Sequence, residues 1–358
     1  MVRIRPVVEE MEGYAGGRSI EEAARALGLD PRNVVKLNSN ESPLGPSPRA
    51  LRALRVLRDL QRYPPPRPRD LVAAIARRER LPEGCVAVCG GSDAAVETLL
   101  RLVVEPGDRT VAPVPTFPYY AIATRLASGV PVAVPRDRNL RISARVLLAR
   151  ANRRTRIVWL ASPNNPTGDT VDRKDVRALL EGLPGALVVV DEAYGEFAGT
   201  TVAPWVRRYG NLVVLRTFSK AYGLAGLRLG YALLPESLRP LFDKVATPFP
   251  VSAPAVAAGL AALADRAHLR RTIETVRRGR ALLRKRVPFT TYPSEANFVL
   301  ADLSPLRAPG VAEALFRKGI LVRDCSRTEG CGPGHLRITV GTPEQNRKLL
   351  AALKELRI

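Results

Sequence analysis

Two residues in this chain stand where a reactive side chain and its electrostatic partner belong. Lys220 lies in T-F-S-K-A-Y-G-L-A-G-L-R, just after the apolar run Leu212–Leu215. Asp191 closes the run Ala186–Val190 and opens D-E-A-Y. A lysine amine can condense with a carbonyl to give a Schiff base. A carboxylate at a neighbouring strand end can keep a ring nitrogen protonated, which turns that ring into an electron sink. Taken alone, a lysine in a chain with 56 Lys and Arg belongs to the solvated surface; the surrounding pattern is what marks this one.

Other chemistries are poorly supplied. With only His268 and His335, a multi-histidine metal site is excluded and a histidine-based triad is disfavoured, so no metal is expected. Cys85, Cys89, Cys325 and Cys331 form no C-x-x-C pair. Cys85 and Cys89 flank a strand and lie too far apart to bridge, whereas Cys325 and Cys331 share a Gly-rich loop and could close a disulfide. Gly223, Gly226 and Gly230 do not have dinucleotide-binding spacing, and no acidic residue follows at the required distance.

The elements that must position Lys220 and Asp191 can be read from periodicity. Ile20–Leu27 reads as an amphipathic helix with Ser19 as N-cap and Glu22 completing a capping box. Arg49–Leu60 has helical period. From Leu71 to Leu233 helix and strand alternate, with strands expected at 85–88, 109–112, 130–134, 157–161, 187–190, 212–215 and 229–233. This is an α/β pattern: a mostly parallel central sheet flanked by helices, with ligands gathering at the carboxyl ends of the strands. After Pro248-Phe249-Pro250 a helical stretch runs to about Arg286. Strands at 298–300, 320–322 and 336–340, a helix at 311–317 and a closing helix follow, giving a smaller α+β domain. The expected division is an N-terminal arm and small-domain segment (1–37), a large domain (38–247) and a small C-terminal domain (248–358).

The net charge is +22, yet the basic residues are scattered along helical segments and aromatics are only 5% of the chain. That argues against a nucleic-acid platform and for an arginine-rich surface, with steering of small anions as the milder functional reading. No stretch has the roughly 18 unbroken apolar residues of a membrane span, and the first residues lack the apolar core of a secretory signal. The expected location is cytoplasmic.

Several signatures then coincide in one order: Asn38-x-Asn40-Glu41-x-Pro43, Arg62-Tyr63-Pro64, Gly91-Ser92-Asp93, Pro115-Thr116-Phe117, S-P-N-N-P-T-G from Ser162, D-E-A-Y, Ser219-Lys220, Gly226-Leu227-Arg228 and L-R-I-T-V-G from Leu336. Together they resemble the fold-type I pyridoxal-phosphate aminotransferases of class II, and within them the histidinol-phosphate aminotransferases, over nearly the whole chain. The resemblance implies Lys220 as the cofactor lysine, Asp191 beside the ring nitrogen, Tyr194 and Asn165 on the phenolic oxygen, and Phe117 stacked on the ring where many relatives carry tyrosine. It implies a phosphate site from Ser92, Asp93, Ser219, Thr217 and Arg228, with Tyr63 reaching across from the other subunit of a homodimer. Ala94 replaces a commonly acidic residue, a change the backbone cradle tolerates. Arg337, helped by Arg323, would grip an anionic substrate group, with Asn40 and Tyr14 in the substrate pocket. The substrates implied are an anionic amine, L-histidinol phosphate, and 2-oxoglutarate.

Two enzymatic alternatives share every cofactor residue. One is an aromatic or broad-specificity aminotransferase. The other is a threonine-phosphate decarboxylase of cobalamin synthesis, whose V-R-D-C-S stretch is matched at 322–326. The segments R-S-I-E-E (18–22) and L-R-I-T-V-G-T-P-E-Q-N (336–346) favour the histidinol-phosphate branch. A nucleic-acid-binding protein on the same scaffold is the remote alternative.

Overall fold

The structure, a computed structural model, describes residues 2–356. Its large sheet has seven strands, in the spatial order Val86–Cys89, Gly230–Leu233, Leu212–Thr217, Leu187–Asp191, Thr155–Ala161, Arg109–Val114 and Val130–Pro135. Gly230–Leu233 runs antiparallel to both neighbours, and the other strands share one direction. Every residue of Leu187–Asp191 and Leu212–Thr217 is buried, as expected of central strands covered on both faces. Alternate residues feed two apolar cores: Val188, Val190, Leu212 and Val214 face one, and Leu187, Val189, Val213 and Leu215 the other.

Strand register aligns the chemistry. Asp191 sits opposite Ala161 on one side and Leu215 on the other. The S-P-N-N-P-T-G turn, Asp191 and the Thr217–Lys220 segment therefore leave the sheet at the same edge.

The second lobe carries a four-stranded antiparallel sheet, in the order Arg323–Asp324, His335–Thr339, Phe298–Asp302 and Thr290–Thr291. The N-terminal segment joins it. Val35–Lys36 pairs in parallel with Ile320–Leu321, and Val35 and Leu37 pack with Leu283, Val299, Ile338 and Leu349. The helix Ile20–Leu27 has the capping box read from Ser19 and Glu22.

Some expected boundaries differ. The helix expected to reach Leu60 spans Pro48–Arg55; beyond it Val56 and Leu60 find no surface to cover and are 70% and 63% exposed, so no packing supports another turn. The stretch before Arg286 is two helices, Ala253–Ala264 and Arg266–Arg286. They are broken at Asp265, whose side chain accepts from the His268 amide. The expected strand 320–322 ends at Leu321, because after Val322 the chain passes to the antiparallel sheet at Arg323. All four cysteines are free thiols; Cys325 and Cys331 share an apolar cluster with Leu140, Leu300 and Tyr292. Among the described residues no helix is long and apolar enough to cross a membrane, and no group of three or more His, Cys, Asp or Glu could hold a metal ion.

Candidate active site

A cleft of ≈ 430 Å³ opens at the carboxyl edge of the large sheet, between the two lobes. Lys220 projects into it, and its Nζ donates to the Ser39 carbonyl at 3.3 Å and lies 5.7 Å from the Tyr194 ring centre. Burial, reinforced by the positive charge of Arg337, pulls the Lys220 amine down to about 8. A substantial neutral fraction near physiological pH is what a nucleophilic lysine requires.

Asp191 forms the floor. Tyr120 donates its hydroxyl to Oδ2 at 2.7 Å, and the Ala193 amide donates to Oδ1 at 3.0 Å. Burial pushes the carboxyl up to about 6, against the pull of these two donors. Each oxygen keeps a lone pair able to accept a ring N–H. Tyr120, 1% exposed, is fixed by stacking on Trp159 at 5.0 Å and by the edge of Phe117 at 5.5 Å. Phe117 itself lines the cleft.

Tyr194 is buried, and its hydroxyl accepts from Asn40 Nδ2 at 3.0 Å. Asn40 is held at φ +54°. Its amide donates to Thr339 Oγ1, that hydroxyl donates to Asn40 Oδ1, and Asn297 donates to its carbonyl. A short polar web thus sets one residue from three other segments.

Arg337 closes the far wall. Its guanidinium donates to Asn165 Oδ1 and, at 2.6 Å, to the Asn38 carbonyl, while Nε is buried without a partner. Both acceptors are neutral, and among the described residues no carboxylate lies within salt-bridge distance of it. A cleft-lining cation paired with no carboxylate suits an anion entering the cleft.

At the other end, Gly91 at φ +94° precedes the helix Ser92–Val103 and offers no side chain to cap it. The first amides of that helix are therefore open to an anion. A Cβ on Gly230 would lie 2.8 Å from Gly91 C and Ser92 N, so only glycine allows that strand to approach the helix end. Around the opening stand Thr217, Ser219 and Arg228; Ser219 Oγ accepts from Thr217 Oγ1 at 3.0 Å and from Arg228 Nη1 at 3.4 Å. Arg228 Nη2 also donates to Asp93 Oδ2 at 3.0 Å.

Residues 32–353 match the family pattern "Aminotransferase class I and II". The chain belongs to this family. The aminotransferase is 46% identical over 353 residues to the histidinol-phosphate aminotransferase of Methanosarcina barkeri, covering 98% of this chain and 96% of the relative. It is 44% identical over 353 residues to the enzyme of the same name from Methanosarcina mazei, with the same coverage. Its fold superposes on the crystal structure of histidinol-phosphate aminotransferase from Sinorhizobium meliloti, a complex with pyridoxal-5'-phosphate. The TM-score is 0.89 at 30% identity, covering 99% of this chain and 98% of that one.

The aminotransferase gathers nearly every residue singled out from its sequence around one cleft: Lys220, Asp191, Tyr194, Asn165 and Phe117 at the centre, Ser92, Asp93, Thr217, Ser219 and Arg228 at one end, and Asn40, Tyr14, Arg323 and Arg337 at the other. Tyr63 is the exception. It is 80% exposed, stacked on Phe249 at 4.6 Å, and outside its own chain's cleft. Arg323 lines the cleft, but its Nη2 donates to the Ala15 carbonyl at 2.7 Å, tying down the segment that carries Tyr14. Tyr14 stands edge-on to Phe117 at 5.9 Å. Sequence reasoning missed Tyr120, Thr339 and Asn297, whose partners Asp191 and Asn40 lie far away in the chain.

Proposed function

We propose that this aminotransferase moves the amino group of L-histidinol phosphate to 2-oxoglutarate, giving imidazole acetol phosphate and L-glutamate by a ping-pong route, with pyridoxal 5'-phosphate bound in the cleft. The fit to that group rests on three features: an amine and a carboxylate at adjacent strand ends, an aromatic wall at Phe117, and an uncapped helix end facing Arg228 and two hydroxyls. Lys220 would hold it, Asp191 would face its ring nitrogen, Tyr194 and Asn165 its phenolic oxygen. Ser92 and Asp93 amides, Ser219, Thr217 and Arg228 would take its phosphate. When bound, it supplies an electrophilic carbonyl carbon and a cationic ring that accepts electrons.

The chain's own groups do the rest. Asp191, flanked by Tyr120 and Ala193, stays available as an anion toward the ring. Lys220, with its depressed pKa, exchanges a proton with the substrate α-carbon as general base and then acid. Arg337 binds the anionic end of either substrate, and its place on the cleft wall with only neutral acceptors as partners is the observation that carries this reading: one cation can hold the phosphate of one substrate and a carboxylate of the other. Asn40 and Tyr14 border the same space, with Arg323 positioning the latter segment.

The same reading makes the protein a homodimer whose Tyr63 serves the partner's phosphate site. Tyr63 and Phe249, stacked on each other and both exposed, support it as an uncovered apolar surface.

The deciding assay mixes the full-length, cofactor-loaded protein with candidate amines and follows the cofactor's visible band. L-Histidinol phosphate should bleach it fastest. Faster bleaching by phenylalanine would favour a broad aromatic enzyme, and carbon dioxide release from phosphothreonine would favour a decarboxylase. Lys220→Ala should lose both the linked absorbance and the half-reaction; retained turnover would refute the assignment.

A further inference from the structure

Among the described residues Arg228 is the fixed cation at the phosphate end of the cleft, and it is already engaged by an anion from its own chain. Its Nη2 donates to Asp93 Oδ2 at 3.0 Å, and its Nη1 reaches the Ala225 carbonyl at 3.2 Å and Ser219 Oγ at 3.4 Å. The guanidinium is packed tightly over the helix end, since a Cβ on Gly91 would fall 2.7 Å from Nη2. Both members of the pair are about half exposed, at 52% and 43% of their side-chain areas. The carboxylate therefore stands at the mouth of the subsite, within reach of whatever anion enters, while the Asp93 amide belongs to the uncapped helix turn that would receive it. Its charge is felt across the cleft: it works to raise the proton affinity of Asp191, Tyr194 and Lys220.

We infer that the Asp93 carboxylate is an internal competitor for the cofactor phosphate. It holds Arg228 in place ahead of the phosphate and must yield that cation when one binds. The inference rests on the reading of this end as a phosphate subsite. It assigns the backbone and side chain of Asp93 opposite effects: the amide attracts the anion and the carboxylate opposes it. Such a device keeps Arg228 from collecting adventitious anions and keeps the cofactor exchangeable.

The ratio of pyridoxal to pyridoxal-phosphate dissociation constants, measured by visible absorbance on the full-length protein, isolates the phosphate contribution. Asp93→Asn keeps the amide, the size and the helix but removes the charge, so the ratio should rise roughly three- to tenfold at low salt, from loss of a like charge about one side chain away. The gain should shrink as salt is raised, because the pair is half exposed. Asp93→Ser, which also keeps the helix start, should move the ratio in the same direction. A ratio unchanged or lowered in both variants would overturn the inference. Arg228→Met serves as the separate control: if it leaves the wild-type ratio intact, the phosphate subsite itself is misplaced, whereas a collapsed ratio with no gain in Asp93→Asn rejects the role of the carboxylate alone.

Discussion

Removing one hydroxyl from Tyr120 should change how stability depends on pH. In Tyr120→Phe the ring keeps its stack on Trp159 and its contact with Phe117, so the perturbation is confined to the bond to Asp191 Oδ2. A hydrogen bond to a charged group contributes about 1.5–3 kcal/mol and one between neutral groups about 0.5–1.5 kcal/mol. The difference, about 1 kcal/mol or somewhat more, raises the Asp191 pKa by roughly one unit above its present value near 6. The sign follows from linkage. A carboxyl group whose folded pKa exceeds its unfolded value contributes stability that is complete below the unfolded pKa, here 3.8, and is lost as pH rises through the folded one. In wild type that loss is finished a little above pH 6; in the variant it continues to roughly pH 7–8. Urea unfolding of cofactor-free protein should therefore show the variant less stable by about 1 kcal/mol near pH 4.5 and by about 2 kcal/mol near pH 8. A penalty that is the same at both ends would mean that Tyr120 merely packs, and the reasoning would fail.

Three further outcomes are expected. Mixing and refolding Tyr63→Ala with Lys220→Ala, each nearly inactive alone, should restore about a quarter of wild-type activity, since half the dimers are hybrids with one intact site each; no recovery would remove the shared-site dimer. Gly230→Ala, whose methyl would press on backbone at Gly91 and Ser92, should cost about 1–3 kcal/mol and weaken pyridoxal-phosphate binding more than pyridoxal binding, as read by absorbance titration. Arg136 and Asp169 form a buried ion pair at 3.0 Å, with Arg136 also donating to the Pro115 and Leu140 carbonyls; Arg136→Met should destabilise by about 3–5 kcal/mol in urea unfolding because it strands the carboxylate.

What could be read from the sequence follows from how each feature is encoded. Central strands covered on both faces are continuous apolar runs, so the positions of Asp191 and Lys220 at strand ends were legible. The capping box at Ser19 is written entirely in local sequence and matches the structure. Tyr120 was not legible: its role depends on a hydroxyl meeting a carboxylate 71 positions away, which no local pattern states. The same holds for Thr339 and Asn297, which reach Asn40 from 299 and 257 positions away. Arg323 shows the opposite limit. The resemblance gave it a hand on the substrate, and it does line the cleft, but the bond of its Nη2 to the Ala15 carbonyl could be read only from the structure. The helix drawn past Arg55 failed because periodicity reports an amphipathic face but not whether the protein has anything to set against it.

Lys220 and Arg337 are coupled across the cleft, and the coupling has a consequence for proton traffic. Arg337 is held by neutral acceptors, Asn165 Oδ1 and the Asn38 carbonyl, and among the described residues no carboxylate pairs with it. That charge is one of the two main reasons the Lys220 amine is pulled down to about 8. An anion bound at Arg337 cancels it, and the amine then becomes more basic just as a substrate arrives. Arg337→Gln should reproduce the effect without a ligand, lifting the Lys220 pKa toward its ordinary value of 10.5. The pH at which the amine captures pyridoxal phosphate would move upward with it. In wild-type cofactor-free protein between pH 8 and 9, adding a dicarboxylate such as succinate should draw protons from weakly buffered solution, and in Arg337→Gln it should not. Equal uptake by both proteins, or none by either, would show that the amine's basicity is set by burial alone.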